Sequence, residues 1–105
     1  MNPRISVLIA TLNSERTIEM VLQAIRNQNY PQDLIEIIVV DGGSQDRTRQ
    51  IAERYRCRVV DNPQVNPVSA KLIGLKEATG DVLVHIDSDE VVVSSDAFSK
   101  RIAAL

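Results

Sequence analysis

Residues 35–46 read Ile35-Glu36-Ile37-Ile38-Val39-Val40-Asp41-Gly42-Gly43-Ser44-Gln45-Asp46, a nearly unbroken run of branched apolar side chains that stops at an acid and two glycines. A half-exposed strand would alternate apolar with polar residues, so the run Ile35–Val40 suits a strand buried on both faces of a parallel sheet. The change at Asp41 marks a turn, and Asp46 opens a helix that carries Ile51, Ala52 and Tyr55 on its inner side.

The same rhythm continues outward in both directions. Ile5–Ala10 (ISVLIA), Arg58–Val60 (RVV) and Val82–Ile86 (VLVHI) are further apolar runs, and helical patterns lie between them. The clearest helix follows the first run. Ser14 is placed to cap it, and Ile18, Val21, Leu22 and Ile25 recur at i, i+3, i+4 and i+7 as one apolar stripe. Asn29-Tyr30-Pro31 then breaks the chain. Another helix follows Pro67, with Ser69 as its cap and Gly80 as its C′ stop, and a last one runs from Asp96 to Ala104. Strand and helix in strict alternation predict an α/β fold, a doubly wound, mostly parallel sheet with right-handed crossovers and helices on both faces.

Composition narrows the class. The chain has 105 residues, enough for one domain with a core but short for a complete α/β enzyme. Aromatics are only 3%, so the core must be built from Ile, Val, Leu and Ala. A net charge of −2 offers no basic footprint for nucleic acid. A lone cysteine, Cys57, excludes an internal disulfide and multi-thiolate zinc sites, and its place at a strand start suits a buried, inert thiol. The apolar stretch at Ile5–Ala10 runs straight into Thr11 and Asn13, unlike a secretory signal, and no apolar run approaches the ~20 residues that span a bilayer. The chain is expected to be soluble and cytoplasmic, with no membrane segment of its own.

Ligands of such sheets bind beyond the carboxyl ends of the strands. There the sequence places Thr11, Leu12 and Asn13, then Asp41 to Asp46, then Asp61 and Asn62, then Asp87-Ser88-Asp89-Glu90. Asp41 sits where nucleotide-binding sheets set an acid against a ribose or base, although Asp41-Gly42-Gly43-Ser44 equally suits a plain turn with Asp46 as a helix cap. No glycine-rich phosphate loop follows the first strand: Ala10-Thr11-Leu12-Asn13-Ser14-Glu15-Arg16 contains no glycine, and G-x-x-x-x-G-K-[ST] is absent.

A bound diphosphate would therefore need another counter-charge, and Asp87-Ser88-Asp89 can recruit one. In a strand leaving the sheet, residues i and i+2 face one side, so Asp87 and Asp89 are expected to share a cation. Hard oxygen donors select Mg²⁺ or Mn²⁺, with phosphate and water completing the shell. The bare pattern also suits a solvated acidic loop. Of the other polar residues, His85 is expected to be a satisfied core histidine, and Arg47 and Arg49 a solvated face. Lys71 and Lys76 read as surface lysines, Lys71 being the one near the phosphate edge.

Four blocks stand in order: Ile5–Asn13, Ile37–Thr48, Ala70–Gly74 with Ala78–Asp81, and Val84–Glu90. Together they resemble the family 2 glycosyltransferases, which have the GT-A fold and whose segments read S-V-I-I-P-T-Y-N, V-V-D-[DG]-G-S-x-D-x-T, A-R-N-x-G with A-x-G-D, and D-x-D. The resemblance implies the donor half of an inverting glycosyltransferase that uses a UDP- or GDP-type sugar with Mn²⁺ or Mg²⁺, in a Rossmann-like half domain of strand order 3-2-1-4. By the same resemblance Thr11, Asn13, Asp41, Gly43, Lys71 and Asp87 contact the donor, Asp87 and Asp89 hold the metal, Glu90 is a further metal-side acid, and Asp46 is structural. This sequence has Ala10 for the family's proline, Leu12 for its tyrosine, Gly42 where an acid is common, and Lys71-Leu72 for Arg-Asn.

The family's catalytic base lies well beyond D-x-D, so it and the acceptor half are expected to lie outside this chain. The fourth strand would then lack its outer neighbour, and Val91-Val92-Val93 its cover, which predicts a homo-oligomer through that edge or the last segment. Two alternatives remain from the residues: a non-catalytic nucleotide-binding fragment, and a haloacid-dehalogenase-type phosphatase with Asp87 as nucleophile and Asp89 as general acid.

Overall fold

The computed structural model describes residues 2–105. In chain order the elements are β1 (Ile5–Thr11), α1 (Ile18–Arg26), a 3-10 turn (Gln32–Leu34), β2 (Ile35–Asp41), α2 (Thr48–Arg54), β3 (Arg58–Asp61), α3 (Pro67–Glu77), β4 (Val82–His85) and α4 (Ala97–Ala103). All strand pairs are parallel and the order is β3-β2-β1-β4, as the resemblance implied. The register sets Thr11 beside Asp41 and Asp41 beside Asp61, so three strand ends meet at one rim.

Period-2 alternation divides the strands between two cores. Ile5, Val7 and Ile9 of β1, with Ile35, Ile37 and Val39 of β2, pack on Ile18, Val21, Leu22 and Ile25 of α1 and Ile51 and Ala52 of α2. Leu8, Ile38 and Val40 face the other way and pack on Ala70 and Ile73 of α3. Both central strands are thus sealed on both faces, which is why they read as continuous apolar runs. Cys57 packs half-buried beneath the larger core, where burial pushes its thiol up to about 12, so it is inert as expected. No helix among the described residues is long and apolar enough to cross a membrane.

Several helix ends differ from expectation. The side chain of Ser14 does not cap α1; its carbonyl accepts from the N–H groups of Thr17 and Ile18 at 3.1 and 2.9 Å, and the cap position falls three residues later, at Thr17. The cap of α3 is Asn66, whose Oδ1 accepts from Ser69 N–H at 2.8 Å, so Ser69 is the capped residue rather than the cap. Gly80 is not a left-handed stop either, since Gly43 is the one glycine with positive φ. Its reason is contact. A β-carbon there would lie 2.7 Å from Ser6 N and 2.9 Å from Arg4 O, where the connection into β4 crosses β1.

The last segment is better seated than expected. Val91 and Val93 are exposed, but Val92 packs on the core and Phe98 is buried in it. Four hydrogen bonds pin the segment to the end of α1: Gln28 Nε2 to Ser94 O, Asn29 N to Ser95 O, Phe98 N to Gln28 Oε1, and Ser99 Oγ to Asn29 Oδ1. The chain's one phenylalanine thus supplies burial that the three valines do not. β4 pairs only with β1, and its other edge has no strand beside it among the described residues.

Gly80→Ala is expected to lower the unfolding free energy by about 1–3 kcal/mol, because Ser6 N and Arg4 O are backbone and cannot rotate away, and Ser6 Oγ, at 2.6 Å, is held by Glu36. Urea denaturation with unchanged m-value checks this; a variant as stable as the parent would show that the crossing has slack.

Candidate functional site

The carboxyl ends of β1, β2 and β4 and the start of α3 enclose a cleft of about 520 Å³. Thr11, Leu12, Gly42, Lys71 and Asp87 line it, together with the coil that joins β3 to α3. The acids at this rim fall into two groups, those already engaged by the protein and those left free.

Asp41 belongs to the first group. Its side chain is 0% exposed. Thr11 Oγ1 and Ser44 Oγ donate to Oδ1 at 2.7 and 2.6 Å, and Gly43 N, Ser44 N and Arg49 Nη1 donate to Oδ2 at 3.1, 2.8 and 3.2 Å. Burial alone pushes this carboxyl up, but the hydrogen bonds from Ser44, Thr11 and Gly43 outweigh it and hold the group below its ordinary value. Asp41, expected to reach a ribose or base, has no exposed surface here, and its hydrogen bonds organise the rim. Arg49 is likewise not a solvated residue, since it bridges Asp41 and Asp61, the latter at 2.8 Å.

Asp46 is engaged too. Its Oδ1 accepts from Thr48 N and Thr48 Oγ1 at the start of α2, and its Oδ2 accepts from Glu15 N. Asn13 and Gly43, expected to touch a ligand, do not line the cleft. Asn13 adopts φ 50°, donates its N–H to Ser44 Oγ and accepts from Gln45 N, while Gly43 turns the loop at φ 101°. Both shape the loop that closes over Asp41. Thr11 does line the cleft, with its hydroxyl proton spent on Asp41.

Asp87 and Asp89 form the free group. Neither carboxylate accepts a hydrogen bond among the described residues; the one ionic neighbour is His85, whose Nδ1 lies 3.9 Å from Asp87 Oδ1. The strand-alternation argument for them is corrected. β4 ends at His85, and Asp87–Glu90 is a turn closed by Glu90 N donating to Asp87 O at 3.0 Å. Asp87 and Ser88 line the cleft, whereas Asp89 is exposed and does not. Glu90, expected as a further metal-side acid, closes the turn through Oε1, which accepts from Asp87 N at 3.1 Å. Thr17 Oγ1 donates to Ser88 O at 2.8 Å and ties the turn to the start of α1.

No three His, Cys, Asp or Glu side chains among the described residues converge into a closed metal cage. Two carboxylates without protein donors fit an open site instead, of the kind Mg²⁺ and Mn²⁺ complete with phosphate oxygens and water. His85 is a further correction. Its side chain is 43% exposed and faces the cleft, because β4 is the outer strand and that face is only half covered. Lys71, on the first turns of α3, also lines the cleft and carries no hydrogen bond or ion pair among the described residues. Sequence reasoning missed Val65 altogether. It lines the cleft at φ 50°, a conformation costing a β-branched residue on the order of 1–3 kcal/mol, and no sequence pattern announces it.

The family model for glycosyl transferase family 2 matches residues 6–104. Glycosyltransferase AglE of Haloferax volcanii is 31% identical over 93 residues, which cover 83% of this chain and 31% of the relative. Among solved structures, residues 1–349 of Staphylococcus aureus TarS in complex with UDP match with a TM-score of 0.88 and 30% identity, over 95% of this chain and 31% of that one. The mannosyltransferase PcManGT of Pyrobaculum calidifontis, in complex with GDP-Man and Mn²⁺, matches with a TM-score of 0.86 and 29% identity, over 94% and 31%. The chain thus spans about a third of the length of these relatives. The match over all four sequence blocks removes the phosphatase alternative.

Because Asp41 titrates below the ordinary carboxylate value of about 3.9, its cage adds stability above that pH and loses it as pH falls through the lower folded value. Asp41→Asn is expected to cost about 3–5 kcal/mol at neutral pH and to flatten the acid limb of stability against pH. Urea melts between pH 2 and 7 check this; an unchanged acid limb would assign it to Glu36 instead, whose hydrogen bonds from Ser6 and Thr79 outweigh its burial and also depress it.

Proposed function

The chain belongs to glycosyl transferase family 2, and from that premise we propose that it forms the donor and metal site of an enzyme transferring a sugar from a nucleoside diphosphate sugar to an acceptor. The observation that carries this reading is the contrast between the acids of the rim. Asp41 and Asp46 are consumed by protein donors, while Asp87, which lines the cleft, and Asp89, exposed in the same turn, are left without any among the described residues. A cation held by both would be bound by carboxylates that keep their lone pairs free. The relatives whose structures carry UDP, or GDP-Man with Mn²⁺, support both the donor class and the ion.

In this reading Asp87 and Asp89 hold Mn²⁺ or Mg²⁺ through one or two carboxylate oxygens. What the ion supplies, when bound, is Lewis-acid stabilisation of charge on the departing diphosphate. Lys71 faces the same end of the cleft and sets a second positive charge there. Thr17 and Glu90 act on the turn itself, holding Ser88 O and Asp87 N so that the two carboxylates are presented before any ligand arrives. The acceptor, and the base that takes its proton, belong in this reading to the part of such an enzyme that these residues do not include.

Calorimetry with UDP and with GDP, each with and without Mn²⁺, tests the reading. Binding is expected to strengthen at least tenfold with the metal, and Asp89→Asn to abolish that gain. Asp46→Asn is expected to keep the gain while costing about 0.5–2 kcal/mol of stability as a helix-start residue. Equal binding after chelation would remove the metal from the site.

A further inference from the structure

The chain's single histidine interrupts an apolar strand. Along β4 the side chains of Val82 and Val84 join the larger core beneath α1. Leu83 and His85 face the other way, over a small hollow that they share with Leu8 and with Lys71 and Leu75 of α3. Burial beside three leucines would reward another apolar side chain at this position. The imidazole instead turns to the cleft and makes no hydrogen bond among the described residues.

What the ring does face is Asp87. Nδ1 lies 3.9 Å from Asp87 Oδ1, and both residues line the cleft. That separation is too long for a hydrogen bond. It suits an ion held by both atoms, because metal–nitrogen and metal–oxygen bonds of about 2.0–2.2 Å together slightly exceed it. The carboxylate has no protein donor competing for the same lone pairs, so the gap is open from both sides.

We propose that His85 is a further protein ligand of the divalent ion, binding through Nδ1 beside Asp87, and that it biases the site away from Mg²⁺ and towards first-row transition ions. The proposal rests on the donor-site reading above and adds a nitrogen to its two carboxylates. With Nδ1 on the ion, the ring proton sits on Nε2. An oxygen-only site suits Mg²⁺ and Mn²⁺ alike, whereas an imidazole favours the transition ions, increasingly along the series from Mn²⁺ to Co²⁺. His85 thus sets which metal the site takes, while Asp87 and Asp89 set that it takes one.

Calorimetry with Co²⁺ and with Mg²⁺, each in the presence of UDP and at one fixed pH, tests this on the parent, His85→Phe and His85→Ala. The parent is expected to bind Co²⁺ roughly a hundredfold tighter than Mg²⁺, and both variants to narrow that ratio to within about tenfold, chiefly by losing Co²⁺ affinity. Unchanged melting temperatures of the metal-free variants are expected to show that the strand is intact. Because the chain has one histidine, pulsed electron paramagnetic resonance of Mn²⁺ bound to the parent with UDP reads the ligand directly. A nitrogen modulation is expected, and it should change when histidine alone carries the heavier nitrogen isotope. Mn²⁺ bound without that modulation, or variants that keep the parent's preference for Co²⁺, would overturn the imidazole ligand and leave the carboxylates standing. Absence of metal-dependent UDP binding by the parent would instead overturn the donor-site reading, and this ligand with it.

Discussion

At the carboxyl end of β2 one buried carboxylate collects donors from otherwise separate pieces of chain. Thr11 comes from β1, Gly43 and Ser44 from the turn, and Arg49 from α2, and all of them converge on Asp41. An ionised group without exposed surface is tolerated only when its lone pairs are filled, so every one of these segments is constrained by the same requirement. The loop made by Asn13, Ser44 and Gln45 follows from it, and Arg49 carries the constraint on to Asp61 at the end of β3. The wall of the cleft is thus anchored from below by an acid that the cleft never exposes.

This arrangement separates two uses of the same chemistry. Where a carboxylate must hold backbone in place, the chain surrounds it with N–H and O–H groups, as at Asp41, at Asp46, and at Glu36, which takes Ser6 and Thr79. At Asp87 and Asp89, the pair proposed to meet a cation, such donors are absent among the described residues. The turn that bears them is fixed instead through its backbone, by Thr17 and Glu90. Position in sequence does not distinguish the two uses. The count of donors around each oxygen does.

Burial explains which features were legible in the sequence. Ile35–Val40 announces a two-sided strand because every residue in it must be apolar, and the stripe Ile18, Val21, Leu22 and Ile25 announces a helix lying on that strand. Parallel order and the ligand-bearing rim follow from those elements. His85 escaped because an apolar run at the outer strand has only one well-covered face, and its side chain lies on the other. Asp41 was found as a residue of the rim but not as a sealed one, since its donors come from positions two to thirty residues away. Val65 was invisible for a related reason. Its backbone conformation is decided by space at Gly42, more than twenty positions earlier, and no local pattern encodes it.

The helix α1 is held to its surroundings at both ends, by Thr17 to Ser88 and by Gln28 and Asn29 to the segment 94–99. Nine residues at about 1.5 Å each make it a strut of some 14 Å between two posts. Residues 91–93 form a short span between those posts with both feet tied, Val92 packed on the core and Val93 at 95% exposure. Cutting such a span releases little, because neither foot depends on its continuity. A protease that nicks it would leave two polypeptides travelling as one particle, with Phe98 still in the core and the acidic turn still beside the cleft.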